Sequence, residues 1–226
     1  MGGISAFELA KQFLFGYGTL FAIINPFGLA FVFLNRTIGL SDADRISVAR
    51  RVAVFAFAVL LVSLFAGAAI LRFFGISLPA LRIGGGLVVA ASGWAMLNEP
   101  PREADAGHAT SIAGIAAMRQ MAFFPLTIPL TTGPGTIATA IALGANRPAE
   151  LSGFLLTSGV SVAVAAAVAL TIMVAYGRSA TFARIVGRAG TDIVTRLSAF
   201  LLLCVGVQIA LTGVLDALRL LAPVQG

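Results

Sequence analysis

Six stretches of this chain carry no charged residue: 12–35, 52–71, 83–98, 120–146, 151–177 and 197–215. A helix crossing the hydrocarbon core of a bilayer needs about 20 apolar residues. Five of the stretches meet or nearly meet that length. The third is shorter, and lengthens if Arg82 at its start reaches back to the headgroups along its aliphatic stem. Barrel strands would alternate apolar and polar residues over short segments, and these stretches do not. Charged residues make up 11% of the chain, less than half the usual share of a soluble domain. The pattern predicts an all-α membrane protein with six transmembrane helices.

The net charge of +6 does not mark a nucleic-acid binder, because the basic residues sit in the connections between the stretches. With six spans both termini share one side. Lys11, Arg72, Arg82, Arg147 and Arg219 fall there; Arg36, Arg45, Arg50, Arg51, Arg102, Arg119, Arg178, Arg184, Arg188 and Arg196 fall on the other. The side richer in Lys and Arg is expected to be cytoplasmic. Both termini should then face outside, which is the periplasm in a Gram-negative cell. The first span is expected to act as the insertion signal, with no removable leader before it. Cys204 is the single cysteine, so disulfide stapling and paired-thiol chemistry are not expected.

The chain divides into a first three-helix repeat (1–97), a polar cytoplasmic linker (98–117) and a second repeat (118–226). Pro26 matches Pro134 at an offset of 108 residues, Phe74-Gly75 matches Val186-Gly187 at 112, and Arg82 matches Arg196 at 114. Landmarks follow the same order in both halves: an interrupted span, a plain span, a glycine turn, then an arginine opening the last span. An odd number of spans per half turns the second copy upside down. The expected architecture is two inverted three-helix repeats.

The interruptions fall in spans one and four, at Asn25-Pro26-Phe27-Gly28 and Thr131-Thr132-Gly133-Pro134-Gly135-Thr136. Proline removes a helix hydrogen bond and clashes with the preceding turn. An unpaired backbone group in hydrocarbon costs several kcal/mol, so such a break at mid-membrane needs protein, water or a ligand to satisfy it. Paired broken helices in inverted halves point to a transporter's binding site. Free N–H groups at a half-helix start hold a carboxylate, and freed carbonyls accept from an ammonium group. The expected ligand is a small zwitterion, bound by Asn25, Pro26, Phe27, Gly28, Thr131, Thr132, Gly133, Pro134, Gly135 and Thr136. The alternative is that the prolines only kink the helices.

At these residues the chain resembles the MarC family of bacterial and archaeal inner-membrane proteins. Ile24-Asn25-Pro26-Phe27-Gly28, Pro129-Leu130-Thr131-Thr132-Gly133-Pro134-Gly135-Thr136 and Leu81-Arg82-Ile83-Gly84-Gly85-Gly86 carry the resemblance, which extends from about Phe7 to Leu218. It implies residence in the bacterial cytoplasmic membrane. Some members of the family transport small neutral amino acids such as glycine and alanine. The family also belongs to a broader group containing lysine-type amino-acid exporters, so the direction of transport does not carry over.

Other residues have two readings each. Arg82 and Arg196 open the last span of their halves, as gates or contacts for a substrate carboxylate, or as headgroup anchors. Gln208 hydrogen-bonds between helices or lines the cavity. Gly84-Gly85-Gly86 with Gly93 forms a smooth face for sliding or for close helix packing. Ser41 and Asp42 to Asp44 read as a helix cap with acidic first-turn residues, and Arg45 as a topology determinant. His108, in the linker, reads as a solvated loop residue.

No carboxylate lies inside a span. A buried acid relay of the kind pumps use is not expected, and any coupling to protons would use Asp192, Asp216 or the substrate; sodium is the other coupling ion to consider. No metal, cofactor or nucleic acid is expected, and no nucleophile cluster suggests an enzyme. The expected function is secondary transport of a small neutral amino acid by alternating access, one repeat rocking against the other. The competing readings are export of another small solute, a passive pore, or a non-transporting membrane partner.

Overall fold

Helix starts in the first half are set by serines placed just before apolar runs. The computed structural model describes residues 5–98, 121–145 and 151–221. Ser5, Ser41 and Ser77 each accept a hydrogen bond, at 3.2 Å, from the backbone N–H three residues on. These bonds satisfy donors that the first helical turn leaves unpaired. They open α1 (Ala6–Ile24), α3 (Asp42–Phe65) and α5 (Leu78–Leu97). Between them lie α2 (Pro26–Arg36) and the short α4 (Gly67–Phe73). The second half comprises the irregular segment Ala122–Thr131, then α6 (Pro134–Ala145), α7 (Leu151–Gly177) and α8 (Ser179–Leu221). Among the described residues there is no strand. The linker beyond Asn98, with His108, lies outside them.

Among the described residues, five helices are long and apolar enough to cross a membrane: Ala6–Arg36, Asp42–Phe65, Leu78–Leu97, Ser152–Gly177 and Ile193–Arg219. Ala122–Thr131 with Pro134–Ala145 makes a sixth if counted as one span, bent by 69°. The molecule is thus a multi-spanning helical membrane protein. Gly75 and Gly187 stand ahead of the last span of each half with φ of 66° and 77°, a left-handed conformation that glycine takes at no steric cost.

Spans pack chiefly on spans of the other half. The most extensive pairing joins α5 to α8, followed by α3 with α7. The first span lies on α7 and α8, and the fourth lies on α3 and α5. Exchanging the halves leaves this pattern unchanged.

In the α5–α8 seam the backbones touch. A Cβ at Gly86 would stand 2.4 Å from Ala210 N, at Gly93 2.5 Å from Leu203 N, and at Gly206 2.3 Å from Ala90 N. Glycine is the residue that lets membrane helices approach this closely. Packing is therefore what the smooth face of Gly86 and Gly93 does, whereas Gly84 faces open space. The buried core lies elsewhere, among Leu20, Ile24, Leu29 and Phe33 of the first span, Val52 and Leu60 of α3, and Val164, Ile172 and Tyr176 of α7.

Candidate functional site

Asn25 interrupts the first span. It takes φ 45° and ψ 59°, a left-handed conformation that asparagine tolerates better than most residues. Its N–H donates to Phe21 O at 2.8 Å, and its Oδ1 accepts from Gly28 N–H at 3.3 Å. One residue thus ends α1 and caps α2. Pro26 follows at the first helical turn, where a missing N–H removes no intrahelical bond.

The fourth span departs further from a helix. Phe124 and Ile128 are extended, with φ of −129° and −113°. Each precedes a proline, and proline pushes its predecessor out of the helical region. The Ile128–Pro129 peptide is cis. Threonine hydroxyls take up carbonyls along the segment. Thr127 donates to Ala122 O and Thr131 to Leu126 O, each at 2.7 Å, and Thr132 donates to Thr127 O at 3.2 Å. Helix α6 then begins at Pro134, with Ile137 N–H donating to Gly133 O at 3.0 Å. The N–H groups of Gly135 and Thr136 lie in its first turn, where a helix supplies no acceptor.

The two interruptions meet. α1 packs on α6, and α2 packs on Ala122–Thr131. The part before one interruption touches the part after the other, so the spans cross where they are broken. A cavity of about 20 Å³ lies at the crossing, room for about one water. Ile23 comes from the first span, Pro129, Thr131, Gly133 and Thr136 from the fourth, Val89 and Ser92 from α5, and Leu202 and Ile209 from α8. Among the described residues, its side-chain polar groups are the hydroxyls of Ser92, Thr131 and Thr136, and no charged side chain lines it.

The structure sorts the residues that the sequence singles out. Thr131, Gly133 and Thr136 reach the cavity wall. Thr132 is occupied with Thr127, Pro134 packs where a Cβ on Gly85 would go, and Gly135 leaves room for Ile209. From the first interruption, Ile23 lines the cavity and the Asn25 motif does not. Asn25 turns its side chain to Gly28, whose absent Cβ leaves space for that amide and for Ser198 Oγ. Pro26 is buried. Phe27 is 48% exposed and lies in a ladder of rings between Phe21 at 6.0 Å and Phe182 at 6.2 Å.

Arg82, Arg196 and Gln208 do not reach the cavity either. Arg82 pairs with Asp216 across the α5–α8 seam. Arg196 is exposed. Gln208 is exposed too, and donates at 3.4 Å to Thr212 on its own helix, so it neither bridges helices nor lines the site.

Two residues carry more than their sequence context suggests. Arg45 is buried and ties the turn between α2 and α3 together. It donates to Leu40 O at 3.1 Å, Thr37 Oγ1 at 3.4 Å and Asp42 Oδ1 at 2.7 Å. The Asp42 spacing of one helical turn was the available signal. Tyr176 is fully buried, stacks on Phe33 at 4.6 Å and 19°, and shares a 2.9 Å hydrogen bond with the cavity residue Thr131. Its signal is a phenol near the end of an apolar run, because a buried tyrosine hydroxyl requires a partner.

The comparison with known proteins agrees with a multi-spanning membrane protein. A family model described as MarC family integral membrane protein matches residues 10–218. An inner membrane protein MarC of Salmonella typhimurium is 32% identical over 217 residues, covering 94% of this chain and 98% of the relative. The inner membrane proteins MarC of Citrobacter koseri and Escherichia coli O1:K1 are 31% and 33% identical, with the same coverage. No solved structure matches. A family match over nearly the full length, with relatives above 30% identity covered almost end to end, leaves one conclusion: the chain belongs to the MarC family of integral membrane proteins.

Proposed function

We propose that this protein is a secondary transporter of a small neutral amino acid, of the glycine or alanine type, in the bacterial cytoplasmic membrane. Both termini face outside, by the distribution of Lys and Arg. The observation that carries the reading is the crossing of the two interrupted spans, with a cavity at the crossing. The Thr136 hydroxyl lines it, with the hydroxyl oxygens of Thr131 and Ser92, whose protons go to Leu126 O and Val88 O. The first-turn N–H groups of α6 and the positive end of its dipole suit a carboxylate. A cavity wall without charged side chains suits a net-neutral solute. The packing pattern that survives exchange of the halves supports an inverted repeat, as do the left-handed Gly75 and Gly187 at matching places. The breaks then lie at mid-membrane, where inverted-repeat transporters place their sites.

A cavity with room for one water is a closed state of such a site, so loading requires its walls to part. A closed cavity also favours gated transport over a standing pore.

The test is uptake of radiolabelled glycine and alanine into proteoliposomes. Saturable uptake with counterflow supports the reading; unsaturated flux indicates a pore, and no flux a non-transporting partner. Gly133→Leu should abolish uptake while insertion is intact. Its Cβ would stand 2.7 Å from Pro129 O and 3.4 Å from Val89, so the longer side chain fills the cavity. Wild-type uptake by this variant discards the site.

A further inference from the structure

Among the described residues, the two sides of the inner cavity are packed differently. On the side of the termini, a cavity of about 420 Å³ lies between α1, α6, α7 and the end of α3. Its lining is chiefly apolar, with Leu64, Leu143 and Val164 among it, and carries the uncharged polar groups of Gln12, Thr19, Thr139, Thr157 and Ser161. It leads toward the crossing of the broken spans. Thr19 lies one helical turn from Ile23 on α1, and Thr139 one turn from Thr136 on α6, and Ile23 and Thr136 line the inner cavity.

On the opposite side, among the described residues, Tyr176 and Phe33 take the corresponding places. Tyr176 and Phe33 are both fully buried and stacked. The single proton of the Thr131 hydroxyl goes to Leu126 O, so the Tyr176 hydroxyl is the donor to Thr131. This bond ties the seal to a wall of the inner cavity. At the offsets that relate the halves, Tyr176 corresponds to Leu64, Phe33 to Ile141 and Thr131 to Ile23. The counterpart of the seal is therefore aliphatic and smaller, with no hydroxyl to hold it shut.

We propose that Tyr176 is the gate on the face opposite the termini, latched to Thr131 and braced on Phe33, and that a small uncharged polar or zwitterionic solute enters from the termini face through the cavity of Thr19, Thr139 and Ser161. The gate rests on the transport reading, but its test needs no substrate. In a Cys204→Ser background, single cysteines at Thr139 and Thr136 are reacted with a membrane-impermeant cationic methanethiosulfonate. The reagent is applied to intact cells and to inside-out vesicles, and a protease-accessible C-terminal tag identifies the termini face.

Thr139→Cys should label from the termini face and not from the other. Thr136→Cys should resist reagent from the opposite face until Tyr176→Phe is added, which keeps the ring and removes the latch. Labelling should then rise about fivefold, the factor expected for one lost hydrogen bond. Tyr176→Ala should raise it further, with gel filtration in detergent verifying the fold. Two results overturn the gate: equal labelling of Thr139→Cys from both faces, or no change at Thr136→Cys with either Tyr176 variant. Absent amino-acid flux with the labelling pattern intact would instead remove the substrate assignment and leave the gate standing.

Discussion

A single methyl group added at Gly206 measures how closely α5 and α8 are held. The new carbon would stand 2.3 Å from Ala90 N, 2.7 Å from Ala90 Cα and 2.8 Å from Gly86 O. Ordinary contact begins at 3.4 Å, so the helices must part by about 1 Å. The obstructing atoms are backbone and have no rotamer to escape into. A gap of that size forfeits roughly a quarter to a half of the dispersion energy of each contact it opens. Packing is the main attraction between helices in lipid, where no hydrophobic drive joins them. The expected cost therefore falls in the upper part of the overpacking range, about 2–3 kcal/mol.

Gly84→Ala is the control, because its methyl meets nothing within 4 Å. Both substitutions gain about 1 kcal/mol of helix propensity, so their difference isolates the seam. In a chain of this size 1 kcal/mol moves the melting temperature by about 2–4 °C. Gly206→Ala should thus melt about 4–12 °C below Gly84→Ala, followed in detergent by the fluorescence of Trp94 on α5. Equal melting of the two variants would refute the close-packed seam.

Arg45→Lys should lower stability by about 2 kcal/mol, because one ammonium does not reproduce the fork that reaches Leu40, Thr37 and Asp42; a variant as stable as wild type shows that the turn does not depend on Arg45. Asp216→Asn leaves the Arg82 guanidinium without its carboxylate and should cost about 1–3 kcal/mol. Arg219→Ala should cost under about 1 kcal/mol, since that side chain is 81% exposed and 4.0 Å from Asp216. Melting curves that reverse this order remove the Arg82–Asp216 pair as the seam's tie.

The spans were legible because a bilayer imposes one length and one polarity on every crossing. Ser41 was legible as a cap for the same kind of local reason: its acceptor and the N–H it serves are three residues apart. Partners across the fold were not. A face of small residues at Gly86 and Gly93 announces close packing, but the helix it meets is named only by folding. Phe27 and Gln208 show the limit from the other side. Each lies in or beside polar, helix-breaking or deep sequence, yet one joins an exposed ring ladder and the other bonds along its own helix. Sequence position says that a helix is interrupted; the rotation of the helix decides which side chains face the gap. At the fourth span the ambiguity was smaller, because Thr131, Gly133 and Thr136 straddle the turn and some of them must face inward.

Under the proposed transport reading, the interleaving of the halves decides which pairings a movement would break. Rocking one repeat against the other would part α5 from α8, whose backbones touch at Gly86, Gly93 and Gly206, and would part α3 from α7 as well. That separates the most extensive pairings in the molecule. The inner cavity is bounded on one side by α5 and α8 and on the other by the fourth span. Moving α5 and α8 together, as one body, opens it while leaving their seam whole. The pairings given up are then those of α5 with α6 and of α2 with α8, together with the close approaches at Gly85 to Pro134, Gly135 to Ile209 and Gly28 to Ser198, where no Cβ intervenes. Packed interfaces yield by sliding as units rather than by deforming throughout. The cheaper route therefore takes one span from each half as its moving body.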